Sequence, residues 1–200
     1  MYFCGMRHIL SDATALLRDR RSIQPERMST RPVHREILEL ALTNATWAPS
    51  HGMTQPWRFV VYHGEGAQRI GAQLPLWYVA HAGEQASERK RLQLEQRAAR
   101  LQALVVVAVV PDPAGRIALA DDRLATACAV QNLHLTLTAQ GIGGFWSTPG
   151  FMHLPAVREF AGLPDDAEVL GLFYVGYPEG EWPVGVHRRP LEYVTTWIDR

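Results

Sequence analysis

Arg20, Arg21 and Ser22 set two guanidinium groups and a hydroxyl within three residues at the end of a short helical pattern. Such a set can grip a phosphate through charge-assisted, bidentate hydrogen bonds. A second basic cluster, His187-Arg188-Arg189-Pro190, stands near the other end of the chain and could converge on the same anion. The stretch Ala48-Pro49-Ser50-His51-Gly52-Met53-Thr54-Gln55-Pro56-Trp57 reads as a proline-ended helix, a polar turn and the start of a strand. As a plain connection it needs only turn chemistry; as a ligand loop it offers Ser50, His51 and Gln55 to the edge of a heteroaromatic ring. Gly141-Ile142-Gly143-Gly144 follows a helical pattern and precedes a strand at Phe145-Trp146. That is the reverse of the strand, glycines, helix order that brings a dinucleotide phosphate to a helix N-terminus. Gly141 suits a helix C-cap, while Gly143 and Gly144 would let a flat ligand come close to the backbone.

Other chemistries are missing from the sequence. It contains no GxSxG, HExxH or GxxxxGK[ST] motif, and its eight histidines form no pair at helical ligand spacing and have no neighbouring cysteine pair, so no metal site is expected. Cys4 and Cys128 cannot make a disulfide framework, which is compatible with a reducing compartment. Twenty Lys and Arg balance twenty Asp and Glu, so no basic excess points to nucleic acid or an anionic membrane. The longest apolar run, Ala103 to Pro111, is far below the roughly 20 residues of a membrane span. The first ten residues lack a secretory pattern, and a cytoplasmic protein is expected.

The elements that must position these groups belong to one domain spanning 1–200, with residues 1–10 as a loosely ordered extension; 200 residues at 47% hydrophobic suffice for one core. Ser11 is a candidate N-cap for a first helix, and Pro32 suits the first turn of a second. In that second helix Ile37, Leu38, Ala41, Leu42 and Ala45 recur at helical spacing until Pro49. Gly83 to Arg100, dense in Glu, Arg, Lys and Gln, reads as an exposed helix or mobile excursion. Strands are expected at Trp57–Tyr62, Leu104–Val110 and Val169–Val175, the middle one apolar throughout, as a strand buried on both faces would be. Helical connections between them make the fold α/β or α+β. In the helix Asp121–Gln140, Leu124, Cys128, Gln131 and Leu135 define one stripe and Ala127, Val130, His134 and Leu137 a second. A helix apolar nearly all round is covered on more than one side, either as a central core helix or by its own sheet and a second subunit; the second reading is preferred.

Taken together, these pieces resemble the nitroreductase family of flavin enzymes, most closely its short members. The resemblance rests on four motifs in family order: Arg20-Arg21-Ser22; Ala48-Pro49-Ser50 with Gln55-Pro56-Trp57; Gly141 to Trp146; and Arg188-Arg189-Pro190-Leu191. It runs from about Leu16 to Trp197. It implies an α+β fold with a central mixed sheet flanked by helices, and an intertwined homodimer with FMN at the subunit interface. By carry-over, Arg20, Arg21, Ser22 and Arg188, with Arg189 the alternative at the last place, would hold the ribityl phosphate. Ser50, His51 and Gln55 would face the ring or ribityl chain, and Trp146, Ser147 and Thr148 would line the flavin from the other part of the site. The doubly apolar helix would be the central helix of the dimer.

The activity implied is FMN-dependent NAD(P)H oxidoreduction, in which NADH or NADPH reduces the flavin and a nitroaromatic, quinone or activated alkene reoxidises it in a ping-pong cycle. No catalytic side chain is needed, because the chemistry lies on the flavin. The competing reading is a flavin-binding or flavin-sequestering protein with little turnover, closed by a lid from Gly83–Arg100 with Trp77 and Tyr78. The chain also departs from the family pattern. Gln24 stands where a basic residue is common, Met53 where Asn is common, and Trp47 where some members have Arg.

Overall fold

The uninterrupted apolar run in the middle of the chain becomes β2 (Ala103–Val109), buried at all seven positions in the computed structural model, which describes residues 9–185 and 187–199. β2 pairs antiparallel with β1 (Trp57–His63) on one side and with β4 (Glu168–Gly176) on the other, and β3 (Gly143–Ser147) pairs antiparallel with β4. The order is β1-β2-β4-β3. The expected mixed sheet is therefore corrected, since all four strands run antiparallel. The parallel component among the described residues is an isolated bridge from Ser22 to Gly144, on the outer edge of β3. The cause lies in the β1–β2 connection. It is a hairpin of α3 (Glu65–Ala82) and α4 (Glu88–Ala99), which returns the chain to the end it left.

Alternation along β2 divides the core. Leu104 and Val106 face a cluster with Ile70, Leu74, Trp77 and Leu94, supplied by α3 and α4 and closed by Val157 of α6 (Pro155–Phe160). Ala103, Val105 and Val107 face Leu38 and Ala41 of α2 (Arg35–Ala45) and Ala129, Leu133 and Leu137 of α5 (Leu119–Ala139). The fold is α+β, helices packed on both faces of one antiparallel sheet. α1 (Leu10–Asp19) buries none of its residues.

Some helix signals shift. Ser11 lies inside α1, whose N-cap is Ile9, and Pro32 precedes α2, whose N-cap is His34. Of the expected N-terminal extension, residues 1–8 lie outside the described residues, and Leu10 already opens α1. Gly83–Arg100 is mostly the helix α4, anchored by buried Leu94 and laced on its outer face by Arg91 with Glu88 and Glu95. The end of α5 is a Schellman turn: Gly141, at φ +69°, donates to Thr138 C=O, and Ile142 donates to Leu137 C=O. Along α5, Ala125, Ala129, Val130, Leu133, His134 and Leu137 are buried, while Leu124 is 66% exposed and Cys128 and Gln131 are exposed. The second stripe is thus turned to the core, and of the first stripe Leu124, Cys128 and Gln131 are exposed within one chain while Leu135 is half-buried.

Candidate functional site

α1 ends at Arg20, its C-cap, and the next two residues turn toward the sheet. The Arg20 guanidinium donates to Ser22 Oγ at 3.5 Å. Burial and the nearby Arg188 and Arg21 guanidinium groups hold Arg20 below the ordinary arginine value. The charge of Arg188, from the other end of the chain, is thus felt at Arg20. Arg21 takes another course: it donates to the carbonyls of Arg20, at 2.8 Å, and Arg18, capping the carbonyl end of α1, and its buried Nε has no partner among the described residues. It packs under Gly185, where a side chain would stand 2.1 Å from the guanidinium. Arg18, Arg21, His187 and Arg188 line a cavity of about 490 Å³ whose described lining has no carboxylate. Arg189 lies over the Tyr193 ring at 4.2 Å, so Arg188 is the C-terminal arginine beside Arg20.

The turn is tied to β3 and α5. Ile23 N–H donates to Gly144 C=O at 3.0 Å, and the His134 imidazole lies 2.9 Å from the Arg21 carbonyl. Gly143 and Gly144 serve this packing. A Cβ on Gly143 would fall 2.8 Å from Ile23, and one on Gly144 would fall 2.4 Å from Phe173 and 3.0 Å from His134. The close approach expected of a flat ligand is made by protein side chains.

Burial, with a smaller contribution from Arg20, holds His134 down to about 4 from its ordinary 6.5. Above pH 6.5 the folded and unfolded chains both carry it neutral. As pH falls from 6.5 toward 4, the unfolded chain takes up a proton that the folded chain refuses, so this group lowers stability by up to about 3 kcal/mol. Urea midpoints at pH 7.5, 6 and 5 are expected to fall in that order. His134→Gln is expected to flatten part of the slope, and an equal slope in that variant would contradict the assignment.

Beyond Gly144, β3 runs along the open edge of the sheet. Gly144 C=O points to the outer edge, so by alternation the Trp146 N–H and C=O do too. The Trp146 indole turns toward the α5 face, its Nε1 buried without a partner and 2.2 Å from where Gly171 would carry a Cβ. Of Trp146, the backbone is what the open edge presents. Phe145, Ser147 and Thr148 continue the wall of a cavity of about 460 Å³, whose other walls include Tyr78, Lys90, Leu94 and Arg97 of the α3–α4 hairpin. Lys90 donates to Gln93 Oε1 at 2.9 Å, and burial and Arg97 hold it below the ordinary lysine value. Arg97 is neutralised by Glu26 at 2.7 Å, and burial pushes the Tyr174 phenol up to about 12. Trp77 does not overhang this cavity: it is buried in the core, edge-on to Phe160 at 5.4 Å. The sequence reading missed Lys90 and Arg97 as cavity residues, because a charge-dense stretch reads as solvated face; buried Leu94 between them is the signal that turns one side of α4 inward.

Ser50, His51 and Gln55 stand apart from both groups. Their loop carries positive φ at Gly52 (+59°), Met53 (+57°) and Gln55 (+46°), a strained run for which two non-glycine residues need outside support. The start of α5 provides it: His51 Nδ1 is 2.8 Å from Asp121 Oδ2, and Thr54 Oγ1 donates to Asp122 Oδ1 at 2.9 Å. Ser50 Oγ accepts the Gln55 N–H at 3.2 Å. Ser50 and His51 line a cavity of about 360 Å³ with Asp121, Leu124 and Cys128, on the uncovered stripe of α5. Within one chain, then, the candidate residues form three places: the Arg20–Ser22 turn with Arg188, Arg21 and Arg188 sharing a cavity; Trp146, Ser147 and Thr148 at β3 and its end; and Ser50 and His51 on the α5 stripe, with Gln55 bonded to Ser50. Among the described residues no group of three or more His, Cys, Asp and Glu could hold a metal ion, and no helix is long and apolar enough to cross a membrane.

Residues 17–177 match the model of the nitroreductase family. YdjA of Escherichia coli (strain K12), which bears a provisional NAD(P)H nitroreductase name, is 29% identical over 170 residues, covering 84% of this chain and 89% of that protein. The crystal structure of a nitroreductase-like family protein from Bacillus cereus superposes with a TM-score of 0.77 at 26% identity, covering 98% of this chain and all of that one. The FMN and NADPH-dependent nitroreductase NfnB from Sphigopyxis sp. strain HMH shares the fold, with a TM-score of 0.73 at 20% identity over 94% of this chain and 99% of that one.

Proposed function

Because the chain belongs to the nitroreductase family, we propose that it is a cytoplasmic FMN-dependent NAD(P)H oxidoreductase, acting as a homodimer with FMN held between the two copies. The observation that carries this reading is that basic groups from opposite ends of the chain come together: Arg18, Arg21 and Arg188 line one cavity, and the Arg20–Ser22 turn, within reach of the Arg188 charge, bridges to the outer edge of β3 at Gly144. Three features fit FMN. Arg188 borders, with Arg18 and Arg21, a cavity whose described lining has no carboxylate, as a phosphate site requires. The β3 edge leads away from them with the Trp146 N–H and C=O unclaimed by β4. Ser147 and Thr148 lie three and four residues beyond Gly144, about 10 to 13 Å along the strand, at the aromatic cavity. The names of YdjA and NfnB support NAD(P)H and FMN as the electron donor and cofactor.

Arg20, Ser22 and Arg188 hold the phosphate, with Arg21 shaping the turn from behind. FMN bound there would supply the redox chemistry, carrying reducing equivalents from NADH or NADPH to a nitroaromatic, quinone or activated alkene in a ping-pong cycle. The Trp146 backbone and the hydroxyls of Ser147 and Thr148 orient the ring end, and Lys90 sets a positive charge beside it. Phe145 and Tyr78 exclude water from the cavity. Ser50 and His51 lie outside this arrangement in their own chain, on the face with exposed Leu124 and Cys128, with Gln55 bonded to Ser50. Burying that face against a second copy offers them to the partner's site, and Trp47 and Met53, 82% and 77% exposed, extend the same loop region.

Steady-state oxidation of NADH and NADPH with a quinone acceptor tests this reading. Turnover per flavin well above that of free FMN is expected. A protein that binds FMN and gives no more turnover than free FMN would be a flavin-sequestering protein instead.

A further inference from the structure

We propose that His134 is a positioning residue for the phosphate grip, fixing the Arg20–Ser22 turn by its hydrogen bond to the Arg21 carbonyl. The proposal rests on the FMN-phosphate reading above. His134 is 6% exposed in the middle of α5 and touches neither of the cavities assigned to the cofactor's phosphate and ring ends. Its partner at 2.9 Å is a carbonyl oxygen, so Nε2 must carry the hydrogen and donate it. The ring is wedged in place, edge-on to Phe173 at 5.2 Å, with its Cδ2 against the space that Gly144 leaves open. A Gly144 side chain would push it off the turn.

Among the described residues the turn has three anchors from outside itself. Trp182 Nε1 donates to the Asp19 carbonyl at 2.9 Å, His134 donates to the Arg21 carbonyl, and the Gly144 carbonyl accepts from Ile23 N–H at 3.0 Å. Trp182 fixes the end of α1, and Gly144 fixes the segment after Ser22. Of these three, the His134 anchor is the one that falls between Arg20 and Ser22, the two residues whose side chains must point at one phosphate. Without it the Arg21 carbonyl loses its donor, and Arg20 and Ser22 are free to rotate apart under the repulsion of Arg21 and Arg188. The grip would then have to be ordered at binding, which weakens affinity for the phosphate end alone.

The test compares FMN with riboflavin, which lacks the phosphate, by fluorescence-quenching titration of the full-length protein. His134→Leu removes the donor and nearly keeps the volume. It is expected to weaken FMN binding about tenfold, the size of one lost hydrogen bond, and to leave riboflavin binding within about twofold. His134→Gln, which keeps an N–H donor, is expected to restore most of the preference for FMN. A folded leucine variant that keeps the parent's FMN affinity, or that loses both ligands in equal proportion, would overturn the proposal. If the leucine variant does not fold, the glutamine variant carries the test: retained preference for FMN supports the anchor, and lost preference overturns it. A parent protein that does not distinguish FMN from riboflavin would overturn the phosphate reading itself.

Discussion

Replacing both Arg20 and Arg188 with alanine is expected to weaken FMN binding by about 10²- to 10⁴-fold while leaving riboflavin binding nearly unchanged. Each charge-assisted hydrogen bond to a phosphate is worth about 1.5 to 3 kcal/mol, and the two together span that range. The apo-protein should lose nothing by the change. Burial first, and then repulsion by Arg188 and Arg21, hold Arg20 below the ordinary arginine value, so removing two like charges relieves the free protein even as it disables the grip. Apo melting temperature is therefore expected to stay level or rise. Arg21→Ala should behave in the opposite way, lowering apo stability, because that guanidinium caps the carbonyl end of α1. Equal loss of FMN and riboflavin affinity in the double variant would contradict the phosphate assignment.

Cys128→Glu is expected to convert a dimer into monomers and to strip them of flavin. Cys128 is exposed in the single chain, on the stripe it shares with Leu124 and Gln131, so an isolated chain should tolerate the change within about 0.5 kcal/mol. Only a partner covering the stripe would feel it. There an unpaired buried charge costs about 3 to 5 kcal/mol, a rise of about 10²- to 4 × 10³-fold in the dimer dissociation constant. Sedimentation and flavin content of the same samples report both effects. A soluble, flavin-loaded dimer would contradict the interface and, with it, the delivery of Ser50, His51 and Gln55 to a second chain.

The strands were legible because their chemistry is one-dimensional. Val105, Val106 and Val107 are β-branched and uninterrupted, and a strand buried on both faces needs nothing else. α5 was legible as a two-sided helix, and exposed Leu124 decides which side lacks cover. α3 gave no such sign, because Pro75 sits inside it and Gly71 is there to admit Ala98 of α4 rather than to fill a stripe. In the candidate site, the residue types that can hold a phosphate were plain, but their directions were not. Arg20 and Arg21 are adjacent and identical in sequence, and only the path of the turn sends one toward Ser22 and Arg188 and the other back to cap α1. Gly143 and Gly144 invited a ligand for the same reason: the Ile23, Phe173 and His134 side chains that occupy their space come from three other segments. The mixed sheet was a property carried over from the resemblance; within the chain, the hairpin of α3 and α4 makes β1 and β2 antiparallel.

The visible spectrum of the purified protein, with the flavin released on denaturation identified and counted, tests the central claim most directly. One FMN per chain, with the protein running as a dimer, is the predicted result. A colourless protein that also fails to take up added FMN would contradict it, and would leave the Arg20 and Arg188 cluster as a site for some other anion.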